Sequence, residues 1–375
     1  MFMLYNPMVM EGVRLKKGFA FYRFSGTHEQ IGLQYGSACK ELIKKNLDLS
    51  MHRLQEHTNA TQQQILNSTL KYRPYVLRYT PFLDEEIQGV AESTGLRLEE
   101  IYFLQLRAEI QAAFFSANEQ NPGMECTSFA ISGEGTSDRS TFGGQNADLP
   151  AFYSDICVVV EIIPDDQPAV LMVTPAGQVS YMGMNRSGLC TFANYLVCDG
   201  WREGFPRYCL TRLTLTHDHV SDAERSLLEV QRASSRNILM VDAQGEMVDL
   251  ELAVQRHGRL TPTNGRLIHS NHFLSPDVLG EERASVGDQI NSQQRLSRLQ
   301  QLIDGEFGSL DVDRLKGYLR DRQTYPDAVC IEPGDPGQGD EMTVASVIAE
   351  PTRGCLWAAV GPPSRNAYQR YSFTE

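Results

Sequence analysis

The feature that most constrains this chain is a change of residue period near position 120. Upstream, residues 28–49 place Ile31, Leu33, Tyr35, Ala38, Leu42, Ile43 and Leu47 near a 3.6-residue repeat, the pattern of a helix with one buried face. Thr80 and Pro81 signal the start of a helix over 82–93, and Arg-Leu-Glu-Glu at 97–100 opens another that runs from 101 to about 115. Residues 118–123, Asn-Glu-Gln-Asn-Pro-Gly, have the composition of a loop. From Cys126 onward short strand-like runs take over, at 127–132, 140–145, 156–163, 169–174 and 188–195. Two more, 237–242 and 246–252, flank an Ala-Gln-Gly turn and read as a hairpin, and the last lie at 343–350 and 355–360. Helices are expected within 206–215, 222–232 and 292–303. Strands clustered among blocks of helix predict an α+β fold with sheets covered by helical layers.

With 375 residues, 41% of them hydrophobic, the chain can bury a large core. Its 47 acidic and 34 basic residues give a net charge of −13 with no basic stripe, which disfavours nucleic acid and anionic membrane as partners. No apolar run approaches the ~20 residues needed to span a bilayer, and no charged segment precedes one. A cytoplasmic protein is the expectation. Eight cysteines are scattered without a C-x-x-C pair, which in such a chain predicts reduced thiols rather than a disulfide framework.

Cys126 differs from the other seven. It follows a Pro-Gly loop and opens a strand, a place accessible both to backbone cleavage and to a substrate. If the Glu125–Cys126 bond is cut, one residue carries a thiol and an α-amine, and an amine with a pKa of about 7.7–8.0 can take the thiol proton near neutral pH. Two rivals use the histidines: a metal site assembled from His217, His219, His269 and His272, or an uncut cysteine hydrolase with one of them as base. A non-catalytic binding protein is the third alternative.

Further segments occur in order along the chain: glycines at 26, 32 and 36, Glu-Cys-Thr-Ser-Phe-Ala at 125–130, Gly-Gln-Asn-Ala-Asp at 144–148, Asn-Arg-Ser-Gly-Leu-Cys-Thr-Phe-Ala-Asn at 185–194, Ser-Arg-Asn-Ile-Leu-Met-Val-Asp-Ala-Gln-Gly at 235–245, His-Ser-Asn-His-Phe at 269–273, Arg295, and Thr-Val-Ala-Ser-Val-Ile-Ala-Glu-Pro at 343–351. Together they resemble the acyl-coenzyme A:6-aminopenicillanic acid acyltransferase family and, more distantly, penicillin V acylases and bile salt hydrolases. The resemblance implies the N-terminal-nucleophile (Ntn) hydrolase fold, a four-layer αββα sandwich. It also implies a self-processing enzyme, a zymogen until cut, that cleaves a linear amide or transfers its acyl group to an amine.

By the same resemblance Cys126 is the nucleophile. Asp148 would orient it, Asn194 would donate to the tetrahedral oxyanion, and Asn271 would contact the nucleophile or leaving group. Arg295 would lower the thiol pKa, with Arg298 one turn away as the other candidate. Two departures stand out: Gln145 occupies a position where relatives often carry arginine, and Glu125 replaces the glycine before the nucleophile in the penicillin acyltransferase. Residues 1–125 are then a mainly helical leader that stays bound as a subunit after cleavage, and 126–375 the catalytic domain. The other partners expected are a small-molecule N-acyl amide and a second copy in a homo-oligomer. No cofactor or metal is expected.

Overall fold

The computed structural model describes residues 18–114 and 125–374, so the loop expected at 118–123 lies outside the described residues. The chain enters through strand β1 (Phe21–Gly26) and continues into helices α1 (His28–Glu56), α2 (Gln62–Thr69), α3 (Arg73–Tyr79), α4 (Pro81–Thr94), α5 (Leu98–Gln105) and α6 (Arg107–Phe114). Thr27 starts α1 with a capping box: its hydroxyl accepts the Gln30 N–H, and the Gln30 side chain accepts the Thr27 N–H. Gly32 and Gly36 on α1 meet α4 so closely that a Cβ on Gly32 would lie 2.2 Å from the Glu86 carbonyl oxygen. That clash is a physical reason for glycine at these motif positions. The helix expected over 101–115 is broken at Leu106, where α5 ends and α6 begins.

After Glu125 come β2 (Glu125–Ile131), β3 (Phe142–Pro150), α7 (Tyr153–Ile156), β4 (Cys157–Pro164), β5 (Val170–Pro175), β6 (Met182–Asn185) and β7 (Cys190–Asn194). Helices α8 (Cys209–Thr214) and α9 (Val220–Glu229) lead to β8 (Arg236–Val241), β9 (Met247–Leu252), β10 (His257–Leu260) and β11 (Arg266–His269). Helices α10 (Val286–Gly305) and α11 (Val312–Leu319) precede β12 (Glu341–Glu350), β13 (Cys355–Val360) and β14 (Gln369–Ser372).

Among the described residues these strands form an eight-stranded sheet, β1-β4-β5-β6-β7-β8-β9-β10, and a six-stranded sheet, β11-β2-β3-β12-β13-β14. Alternation of side chains assigns the layers. In β4, Val158, Val160 and Ile162 join the core beneath α1–α6, while Val159 joins the core between the sheets. Strand β8 divides the same way, Ile238 and Met240 toward the helices and Leu239 and Val241 inward. In the other sheet Phe129, Ile131 and Ile348 pack outward against Leu299 and Ile303 of α10 and Leu315 and Leu319 of α11. The molecule is therefore the four-layer αββα sandwich of an α+β fold.

Strand β1 was not legible as such, because only Phe24 of its six residues is buried and so little of its pattern shows. It pairs in parallel with β4, Phe21 opposite Val159, and so places part of the 1–125 segment inside the larger sheet. All eight cysteines are buried, and none is joined in a disulfide. Among the described residues no helix is long and apolar enough to cross a membrane.

Candidate active site

Cys126 sits at the start of β2, opposite Ala147 of β3, with its side chain on the face of β2 that carries Ala130 into the inter-sheet core. Side chains from three other elements hold its backbone. Its N–H donates to Asn271 Oδ1 at 2.7 Å. Its carbonyl oxygen accepts from Asn194 Nδ2 at 3.1 Å and from Arg295 Nη1 at 2.8 Å. Arg295, fully buried on α10, also donates to Thr127 Oγ1 at 2.8 Å, to Asn291 Oδ1 at 2.7 Å and to Asn271 Oδ1 at 3.0 Å. One planar guanidinium thus ties the Cys126 carbonyl to the asparagine that holds the Cys126 amide. Arg298, one turn further, forms a bidentate pair with Asp321 instead.

Asn194 ends β7 and is itself oriented: its Oδ1 accepts from Ser128 Oγ at 2.6 Å and Asn237 Nδ2 at 3.1 Å. Its Nδ2 makes a second, longer bond of 3.5 Å to the His269 carbonyl oxygen. Asn271 Nδ2 donates to the Tyr195 carbonyl at 3.0 Å, and its N–H to Ser292 Oγ at 2.7 Å. The Asp148 carboxylate is buried and accepts the Thr343 hydroxyl. Gln145 bridges the sheets through paired bonds to the Ala193 backbone at 2.9 and 3.0 Å.

Burial pushes the Cys126 thiol up to about 11, and the Asp148 charge adds to the rise; hydrogen bonds from the Gln145 side chain and the Asp148 backbone, and the Arg295 charge, act in the opposite direction. A thiol in this state is protonated at neutral pH and needs a base. Neither nearby histidine suits that task. Both ring nitrogens of His269 face acceptors, the Ser270 carbonyl at 2.7 Å and Glu251 Oε1 at 2.8 Å. Burial opposes its charge, but Asp249 and Glu251 hold the ring at about 9, so it is a cation that cannot take a proton. His272 is directed at Ser292 Oγ, 2.7 Å away. Among the described residues no group of three or more His, Cys, Asp or Glu side chains is arranged to hold a metal ion.

A model of the family described as acyl-coenzyme A:6-aminopenicillanic acid acyl-transferase matches residues 135–365, a span that includes Asp148, Asn194, Asn271 and Arg295. The chain belongs to that family. The 40 kDa form of acyl-coenzyme A:6-aminopenicillanic-acid-acyltransferase from Emericella nidulans is 24% identical over 307 residues, 81% of this chain and 82% of that protein. Among solved structures, a variant of conjugated bile acid hydrolase from Clostridium perfringens aligns at 14% identity over 66% of this chain and 97% of its own, with a TM-score of 0.47. The Caenorhabditis elegans ortholog of N-acylethanolamine-hydrolyzing acid amidase aligns at 13% identity over 60% of this chain and 93% of its own, with a TM-score of 0.45.

Besides Asp148, Asn194, Asn271 and Arg295, the structure brings to Cys126 a group to which sequence reasoning gave no role. A small, partly open pocket, itself no larger than about one water, is lined by Cys126, Arg107, Arg207, Arg236, Tyr181 and Tyr208 among others. The arginines come from the start of α6, the turn before α8 and the first residue of β8. The one signal available was Arg236 itself, a charged residue two positions ahead of the apolar run Ile238-Leu239-Met240-Val241.

Proposed function

We propose that this chain is a self-processing cysteine amidohydrolase that cleaves the C–N bond of a linear N-acyl amide through a thioester on Cys126. The observation that carries the reading is that Asn271, Asn194 and Arg295 converge on the N–H and C=O of the cysteine that opens β2. A backbone held so rigidly fixes where a nucleophile can attack.

In the processing step the Cys126 sulfur attacks the Glu125 carbonyl carbon, the bond from that carbon to the Cys126 nitrogen breaks, and the thiol proton moves to the departing nitrogen. Water then hydrolyses the thioester, leaving a carboxylate on Glu125 and both a thiol and an α-amine on Cys126. The amine, with a usual pKa of about 7.7–8.0, supplies the base that the uncut site lacks. Its position next to Asn271 Oδ1 is inherited from the amide N–H it replaces.

In turnover the sulfur attacks the substrate carbonyl, the ammonium donates its proton to the leaving amine, and water resolves the thioester. Asn194 exchanges its longer bond, to the His269 carbonyl, for one to the developing oxyanion, a stabilisation typically worth on the order of 10²–10³ in turnover. Residues 1–125 remain attached as a small subunit, a reading supported by the pairing of β1 with β4 and the packing of α1–α6 on the same sheet. Transfer of the acyl group to an amine is the second reading, favoured by the family description and the Emericella relative; only the acceptor of the thioester differs.

Intact mass of the purified protein tests the cleavage, and release of amine from a panel of N-acyl amides tests the chemistry. Fragments 1–125 and 126–375 in the parent, and an intact inactive chain in Cys126→Ala, are expected. Parent-like activity in Cys126→Ala would remove the nucleophile assignment, whereas a fully active but uncut parent would remove only the processing step.

A further inference from the structure

Arg207 and Arg236 are 2% and 3% exposed, and Arg107 lines the same cavity at the start of α6. In each of the three, the buried Nε and Nη1 have no hydrogen-bond partner among the described residues. Arg107 donates through Nη2 to the Tyr208 hydroxyl at 2.6 Å. The Glu109 carboxylate close by accepts the Arg207 backbone N–H and the Ser234 hydroxyl. It forms no ion pair with any of the three guanidinium groups among the described residues.

Instead of counter-charges, the arginines have aromatic faces. Arg207 lies 4.5 Å from the Tyr195 ring centroid, Arg236 lies 4.7 Å from that of Tyr208, and Arg107 lies 4.6 Å from that of Tyr153. Such contacts recover less than removing an ion from water costs. Like charges also meet here. Burial, and then the neighbouring Arg207, bring Arg236 down to about 10. Three arginines whose Nε and Nη1 have no partner among the described residues line one pocket with Cys126, and are therefore matched to an acceptor from outside the chain.

We propose that Arg107, Arg207 and Arg236 form an oxyanion-binding subsite beside Cys126, selecting amides whose acyl or amine half carries a carboxylate or phosphate. This rests on the reading of Cys126 as the nucleophile, but the subsite can be tested with and without turnover. The planar donor fork of arginine fits either anion in a bidentate manner. The aromatic rings, whose faces accept N–H donors only weakly, leave those donors to the substrate.

The experiment compares N-hexanoylglycine, N-hexanoylaspartate and N-hexanoyl-phosphoethanolamine with the neutral N-hexanoylglycinamide. In the parent, kcat/KM for at least one anionic amide is expected to exceed that of the neutral one by about 10²-fold, and the anion favoured identifies carboxylate or phosphate. In Arg207→Met and Arg236→Met, checked for parent-like folding by circular dichroism, the ratio falls toward 1 through KM. Arg207→Lys keeps the charge and restores part of it. A ratio near 1 in the parent, or one unchanged in both methionine variants, overturns the subsite.

Two controls separate this failure from failure of the nucleophile. Acylation of Cys126 by neutral p-nitrophenyl acetate, read by mass, reports on the nucleophile without any anion. If Cys126 is not acylated and no amide is cleaved, calorimetric binding of the same four compounds to the parent decides. Preferential binding of an anionic compound, lost in Arg207→Met, upholds the subsite; equal binding or none overturns it.

Discussion

Arg212 and Arg295 lie as deep in the molecule as Arg207 and Arg236, yet the protein solvates the two pairs in opposite ways. Arg212 holds Glu86 through both terminal nitrogens, at 2.7 and 3.0 Å, and the Val179 carbonyl at 2.9 Å. His28 joins the same carboxylate at 2.9 Å. Burial alone would raise Glu86, but Arg212 and His28 reverse the effect and hold it below its usual range. Among the described residues Arg295 finds four acceptors within 3.0 Å. Arg207 and Arg236 have tyrosine faces and open donors. A buried arginine that ties the chain together is answered within the chain; one that faces a cavity is left for a ligand to complete.

Substitution can break or sharpen that contrast. The largest effect is expected from Arg212→Met, which strands the buried Glu86 carboxylate and is expected to cost about 3–5 kcal/mol of stability in urea unfolding. A midpoint equal to the parent's would dissolve the distinction between the pairs.

Next comes the buried His269 cation, which belongs to the internally answered set. Its folded pKa of about 9 lies above the ordinary 6.5, so its stabilisation is fully present below about pH 6.5 and is lost as pH rises through about 9. The shift corresponds to about 3 kcal/mol. The stability difference between the parent and His269→Gln should shrink accordingly between pH 6 and pH 10, and a difference constant across that range would contradict the assignment.

Among the described residues Arg295→Met leaves neutral acceptors rather than a charge without partners, so a smaller loss of about 1–3 kcal/mol is expected. A loss as large as that of Arg212→Met would show that the Cys126 backbone depends on Arg295 for more than hydrogen bonds. The smallest effect is expected from Arg207→Met. Removing a buried charge that no carboxylate among the described residues neutralises should leave the thermal midpoint at the parent's or slightly above it, and a large drop would mean that Arg207 is structural after all.

The helical and strand segments were legible where one face alone is buried or where the apolar run is long. The pattern at 28–49 became the long α1, and the runs at 156–163 and 237–242 became β4 and β8. The expected break in period near 120 corresponds to the passage from α6 to β2. Short or edge elements were not legible: β1 buries one residue in six, and β6, β10, β11 and β14 have four residues each. Their pairing, not their composition, makes them strands.

The site divides similarly. Cys126, Asn194, Asn271 and Arg295 stood in ordered motifs, and the structure gathers all four into one hydrogen-bonded group. Asp148 lies on Thr343 and acts on the thiol through its charge. Gln145, read as the loss of a charge, instead bridges the two sheets while Arg295 supplies positive charge beside the thiol.

By itself the sequence determined the class of layers and the cysteine at the boundary between helical and strand-rich halves, because local period depends on near neighbours in the chain. Only the tertiary structure decided that three arginines from α6, the turn before α8 and β8 share one pocket with Cys126, and that among the described residues no carboxylate pairs with them there. Charge compensation is a property of distances in space, and nothing in the order of residues records it.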